Sequence, residues 1–342
     1  MFLLPILDND SLLATDETTS AQPANSALPS SPALQLTIVK AVGWTLMTLL
    51  LQLVAFAIAW VLMTASADNS QNAGFRWQVT LLMQGLFLGL VMLTCRWSLK
   101  HSLDQILGTQ RLKLWHATLI LLLVIPMALL GSQLHVLATS GWQKLLVLYP
   151  QLEILDGRQS MEMVSSLMSS TPLWAMLIMI AVIPALAEEL IFRGMISRGV
   201  TARYGFWTGM IVSTILFAMV HMHPVHALAL IPMGCILHLI YFATRSFWAP
   251  VLLHFCNNGL AVLMSSLALQ AAEMHPEAAK STPPFSAIML ISCLLGVTVL
   301  ISLLWHSRVK SETSTESGTS EWSLGVMSPP EPSSTEAIAI AN

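Results

Sequence analysis

The chain has 342 residues, 55% of them hydrophobic and only 10% charged, with a formal net charge of −3. A soluble domain carries roughly 25% charged residues, so this composition excludes an ordinary soluble enzyme and marks an integral membrane protein. The long uncharged runs argue for helices rather than a barrel, because lipid offers backbone groups no partner, and no basic patch suggests nucleic acid as a partner.

Residues 1–40 read as a disordered cytoplasmic tail. Residues 1–39 hold four acids and no Lys or Arg, and the opening Met1-Phe2-Leu3-Leu4-Pro5 lacks the basic start and long apolar centre of a signal peptide. Eight apolar segments follow, each near the ~20 residues that span a bilayer. They are Val42–Thr64, Trp77–Cys95, Leu114–Leu137, Leu173–Arg193, Phe206–His221, Ala227–Thr244, Ala249–Leu269 and Ala287–Trp305. The third contains Pro126, a site for a kink. A mixed-charge outer loop, about 138–171, has the room for a surface helix. Beyond His306 the chain turns Ser-, Thr-, Glu- and Pro-rich, and 311–342, with five Glu and no base, reads as a disordered acidic tail.

The fold class is therefore all-α, a polytopic membrane bundle of about eight transmembrane helices. Its blocks are 41–169, N-terminal helices and outer loop; 170–270, the chemically interesting core; and 271–310, the last helix. With eight spans and a cytoplasmic N-terminus, 11 of the 15 Lys and Arg residues fall on the cytoplasmic side and four outside. That bias places both termini inside. Cys95, Cys235, Cys256 and Cys293 form no CxxC pair and read as small buried hydrophobes, and the twenty methionines read as core filling.

Two adjacent carboxylates, Glu188 and Glu189, end an otherwise uncharged run from Pro172 to Ala187. A charge at the bilayer centre costs about 2.5–3.5 kcal/mol on insertion scales, so such a pair is a functional-site hypothesis by default. Helical neighbours point about 100° apart. Arg193, one turn on, shares the face of Glu189 and is its natural ion-pair partner. Glu188 is left to face the bundle interior as a general base. Pro184, one turn before Glu188, has no N–H to give, which frees a carbonyl one turn earlier. Two later spans carry polar residues at helical spacing: Phe217 with His221, and His254 with Asn258. Converging in a wet cavity, these groups suit hydrolysis. Glu188 would take a proton from water, His221 would orient that water or protonate the leaving amine, and His254 and Asn258 would donate to the oxyanion.

The motifs Glu188-Glu189-x-x-x-Arg193, Phe217-x-x-x-His221 and His254-x-x-x-Asn258 resemble those of the type II CAAX prenyl endopeptidases. That group forms one superfamily with the bacteriocin-processing and immunity proteins (the CPBP or Abi intramembrane proteases). Pro184, Phe192-Arg193-Gly194 and Ser246-Phe247-Trp248-Ala249-Pro250 agree with it, and the resemblance covers about 170–270. It implies an eight-helix intramembrane endopeptidase with catalytic Glu188, His221, His254 and Asn258, and with Glu189, Arg193 and Phe217 in support. It also implies a peptide or protein substrate, lipidated in some members, and membrane lipid as surroundings.

Two alternatives stay open. Glu188, His221 and His254 are a legitimate zinc ligand set, although no HExxH pattern supports it, and the metal-free route needs no cofactor. A non-catalytic immunity or partner-binding protein of the same superfamily is the other reading. A secondary transporter would show internal repeats, and none is evident. His223 and His226 read as exposed loop histidines, and His238 has no assigned role.

Overall fold

The structure, a computed structural model, describes residues 35–65, 73–99, 111–156, 169–274 and 285–308. Most of the expected N-terminal tail, 1–34, and all of 311–342 lie outside the described residues. All regular structure among the described residues is helical. The helices are α1 (Ile38–Ala65), α2 (Ala73–Leu99), α3 (Leu114–Leu148), α4 (Leu173–Tyr204), α5 (Phe206–Met219), α6 (Pro224–Thr244), α7 (Trp248–Met274) and α8 (Ala287–His306). A short 3-10 turn, Pro150–Leu155, follows α3.

Seven of these helices are long and apolar enough to cross a bilayer, which marks an integral membrane protein; α5, with 14 residues, is not. At about 1.5 Å per residue α5 runs about 21 Å, short of the ~30 Å hydrocarbon core. The expected span to His221 stops instead at Met219. Met222 turns left-handed with φ 54° and Pro224 opens α6, so the chain reverses inside the bundle. The other departure is length. Helix α3 runs on to Leu148, taking the first part of the expected outer loop, and α4 runs on to Tyr204. Arg193 had read as the point where the chain leaves the bilayer, but its side chain is fully buried in protein.

The ends of the bundle follow from a few contacts. The Leu36 N–H donates to Gly199 O at 2.9 Å, so α1 begins beside the end of α4. His116, in the first turn of α3, lies 3.1 Å from Ser307 O just past α8. Trp77, near the start of α2, packs edge-on against Trp174 at the start of α4, with ring centroids 5.5 Å apart. One end thus gathers the starts of α1, α3, α5 and α7 and the ends of α2, α4, α6 and α8. It carries Lys40, Arg96, Arg111, Lys113, Arg198, Arg203, Arg245 and Arg308, whereas the described residues at the opposite end carry Arg76 and Lys144. Exposed Trp97, Trp115, Trp207 and Trp248 mark the cationic end, and exposed Trp60 and Trp174 the other, as interfacial belts do.

Helix α4 is the most buried of the spans and packs against α1, α2, α5, α6 and α7. One apolar core joins α1, α2, α4, α5 and the start of α7, and a second joins α3, α6, α7 and α8. Gly205, at φ 87°, is the single residue between α4 and α5; the turn needs that left-handed conformation, which glycine adopts without strain. With so tight a turn, residues at nearly equal distances from Gly205 meet: Gly209 presses on Thr201, and Phe192 meets Phe217. A Cβ at Gly209 would run into Thr201, whereas one at Gly85 meets nothing within 4 Å. Gly209→Ala is therefore expected to cost about 1–3 kcal/mol through overpacking, and Gly85→Ala to be neutral or stabilising by about 0.5–1 kcal/mol. Thermal unfolding of the two variants in detergent checks this.

Candidate active site

The site is built on α4, whose turns are not uniform. Leu177–Val182 and Leu190–Ser197 adopt the wider π form, and Ile183–Glu189 between them is α-helical. Such bulges insert a residue and turn the following face. Pro184 cannot bond to the carbonyl of Ile180, four residues back. That carbonyl accepts instead from Nδ2 of Asn258 on α7, at 3.1 Å. The freed carbonyl expected from the proline is thus what Asn258 ties down, and its second amide hydrogen remains available.

Glu189 lies at the centre of a buried charge cluster. Its Oε1 accepts from Arg193 Nη1 at 3.0 Å and from His254 Nδ1 at 2.8 Å, and both Glu189 and Arg193 are 0% exposed. Arg193 Nη2 also donates to Gly234 O on α6 at 3.2 Å, and its Cζ stands 4.6 Å over the ring of Phe217. That stacking is worth about 2 kcal/mol where water is excluded. The expected pairing of Glu189 with Arg193 is present, and Glu189 holds His254 as well. Nothing in the spacing of His254 and Asn258 says which of two adjacent acids the imidazole meets.

Phe217 is the hub. Its ring touches Phe192 edge-on at 5.3 Å between centroids, His221 at 5.2 Å and His254 at 6.0 Å. Phe192 lies one turn after Glu188 and His221 one turn after Phe217. With Phe192 against Phe217 across the Gly205 hairpin, Glu188 and His221 stand at the same height on facing stripes. That height is midway between Trp174 and the level of Trp207, about 20 Å from each at ~1.5 Å per residue.

Glu188 is the accessible member of the pair, its side chain 20% exposed. Its Oε2 has no hydrogen-bond partner and lies 4.0 Å from His254 Nε2, too long for a hydrogen bond but close enough for both to touch one small molecule. The tautomers follow from the partners. His254 Nδ1 faces a carboxylate, and His221 Nδ1 lies 2.9 Å from Phe217 O, so each Nδ1 carries hydrogen. His221 in its neutral form then presents Nε2 as a lone pair, whereas His254 lies between Glu189 on Nδ1 and Glu188 near Nε2, a setting that accommodates hydrogen on both nitrogens. Beside Glu188 the His221 lone pair makes an acceptor set suited to a water molecule. The same donor types suit zinc, but among the described residues no three or more His, Cys, Asp or Glu side chains are arranged to hold a metal ion.

Other polar groups hold the frame. His238 Nδ1 is 2.7 Å from Ser197 Oγ, both fully buried. The pairs Arg193–Gly234 and Ser197–His238 each lie one turn apart on both helices, so α4 and α6 run parallel in fixed register. Position alone hid this role of His238. His223 is no exposed loop residue: its ring accepts from His226 N–H to cap α6, and its Nε2 lies 2.8 Å from Asp156 O. His226 is exposed, as expected, but lies in the first turn of α6 rather than in a loop, and its ring stands 5.2 Å from that of His221.

With this geometry in hand, the family match falls on the same region. Residues 170–260 match the type II CAAX prenyl endopeptidase Rce1-like family. The matched block runs from the start of α4 through the His254–Asn258 turn of α7. The Bacillus subtilis (strain 168) protein YdiL, whose name proposes a membrane peptidase, is 27% identical over 110 residues, 32% of this chain. The match spans 44% of YdiL. No solved structure matches the chain.

The two glutamates separate by stability. Arg193→Ala would leave Glu189 charged and buried without its cation, a loss expected to cost about 3–5 kcal/mol. Glu188→Gln touches no buried pair and should unfold close to the temperature of the unmodified chain. Thermal unfolding of both variants in detergent reads the difference.

Proposed function

We propose that the protein is an intramembrane endopeptidase that hydrolyses a peptide bond with water activated by Glu188, in the manner of CAAX-protease-like enzymes. The observation that carries this is one carboxylate, its side chain 20% exposed, with a buried unpartnered oxygen held beside His254 and level with His221, midway between the two tryptophan-marked ends of the bundle. The Rce1-like match over the same residues supports it. The substrate is a membrane-borne peptide or protein, as in CAAX-box protein processing or peptide maturation, met in a lipid setting. The cationic end of the bundle, with both ends of the described helical core, faces the cytoplasm.

In this reading Glu188 takes a proton from water as the oxygen attacks the scissile carbonyl. It then hands that proton to the leaving amine. His221 orients the water by accepting its second hydrogen at Nε2. His254 stabilises the oxyanion as an imidazolium, donating from Nε2 while Glu189 accepts from Nδ1. Asn258 offers its remaining amide hydrogen to the same oxygen. The charges then balance: Arg193 answers Glu189, and the His254 imidazolium answers Glu188. Phe217 holds the two imidazoles apart at fixed angles.

Glu188→Gln, His221→Ala and His254→Ala are each expected to slow cleavage at least about a hundredfold, the size of general-base and oxyanion contributions. Mass spectrometry of prenylated and plain peptides incubated with folded variants in lipid nanodiscs measures this. Cleavage persisting in Glu188→Gln removes Glu188 as the base. A cellular function surviving all three substitutions points to a binding protein instead. The metal-free route expects no stoichiometric zinc by elemental analysis and a rate unaffected by chelator.

A further inference from the structure

The placement of the site within the bundle gives its sidedness. From Glu189 toward the cationic end, every α4 side chain through Ser197 is buried, and Phe217 and His238 close the same region from α5 and α6. Among the described residues, α4 offers no exposed side chain along that stretch. Toward the other end the pattern changes. Ile178, Ile180, Val182, Pro184, Leu186 and Glu188 are half-buried, alternating with buried neighbours. Beside them α5 has ended, and Val220 to His223 form a non-helical turn at midplane depth. Irregular backbone at that depth is tolerated only inside protein or along a water-filled cavity. Met222 in this turn is 73% exposed. Asn257 and Asn258 on α7 are half-buried at the same height or further outward. The turn is held from above, where His223 Nε2 lies 2.8 Å from Asp156 O, and Asp156 Oδ1 in turn accepts from Trp142 Nε1 at 2.7 Å.

We propose that the Glu188 site is entered from the end opposite the cationic belt, and that its substrates are peptide segments presented on the extracytoplasmic side of the membrane. Eight of the described Lys and Arg residues outside the core ring the far end and two ring the entry end, so the positive-inside bias makes the entry end external. This rests on the peptidase reading and narrows its substrates. Exported peptides and outward-facing juxtamembrane segments reach the site; a tail displayed only in the cytoplasm meets the packed half of the bundle.

Single cysteines at Met222, Ile154 and Tyr204 test it with a membrane-impermeant maleimide, in intact cells and in inverted vesicles. The unmodified chain, whose four cysteines lie in helices, sets the background. Met222→Cys and Ile154→Cys are expected to label in intact cells, and Tyr204→Cys only in inverted vesicles. Met222→Cys labelling from the inverted side only, or from neither side, overturns the proposal. In parallel, an impermeant fluorogenic peptide pool is added to spheroplasts and to inverted vesicles, with Glu188→Gln as the blank. Cleavage confined to spheroplasts is the expected result, and cleavage confined to inverted vesicles overturns the sidedness while keeping the peptidase. Absence of cleavage even in detergent overturns the peptidase reading instead, and the labelling still decides the entry side.

Discussion

Glu189 shares one oxygen between a guanidinium and an imidazole, in a place where none of the three groups reaches bulk water. Charges buried this way are costly to desolvate, and their attraction offsets the cost only when geometry is close and remaining donors are satisfied. The fold supplies the close geometry, while Arg193 Nε and Glu189 Oε2 stay buried without a hydrogen-bond partner. Arg193 spends a second N–H on Gly234 O and lays its face on Phe217. Through these contacts α4, α5, α6 and α7 are held at one point, and the orientation of His254 follows from it. The other carboxylate, Glu188, is left without a hydrogen-bond partner at Oε2 while its neighbour carries the structural charge.

The same division appears in the backbone. Pro184 removes one helical hydrogen bond, and Asn258 answers the carbonyl of Ile180 from another helix. What a soluble protein would leave to water is here satisfied by a side chain, since hydrocarbon offers no substitute. The wide turns on either side of Ile183–Glu189 give α4 the slack to present adjacent glutamates to different partners.

Much of this was legible in the residues. The lone acidic pair in an uncharged run named α4 as the centre, and the one-turn spacing of Glu189 with Arg193 forecast their ion pair. The Phe217–His221 and His254–Asn258 spacings forecast the inward-facing stripes of α5 and α7. The helix count was legible only in part, because hydropathy cannot see that α5 stops half-way. Arg193 misled the boundary of α4, since a buried arginine and an interfacial one look alike in sequence. The partners of His254 and His238 were hidden for a different reason. They depend on which face of α4 turns toward α6 and α7, and that phase is set by π turns that composition does not announce.

Helices α4 and α6 run side by side in the same direction, in fixed register. A chain that must lay two parallel rods against each other needs a return stroke between them, and α5 is that stroke. Its task is to carry the chain back, which does not require the whole thickness of the membrane. By turning round early it stops at the level of Glu188, where Phe217 and His221 stand beside α4. The depth at which Glu188 meets the end of a neighbouring helix is therefore set by how soon that connecting helix gives up its climb.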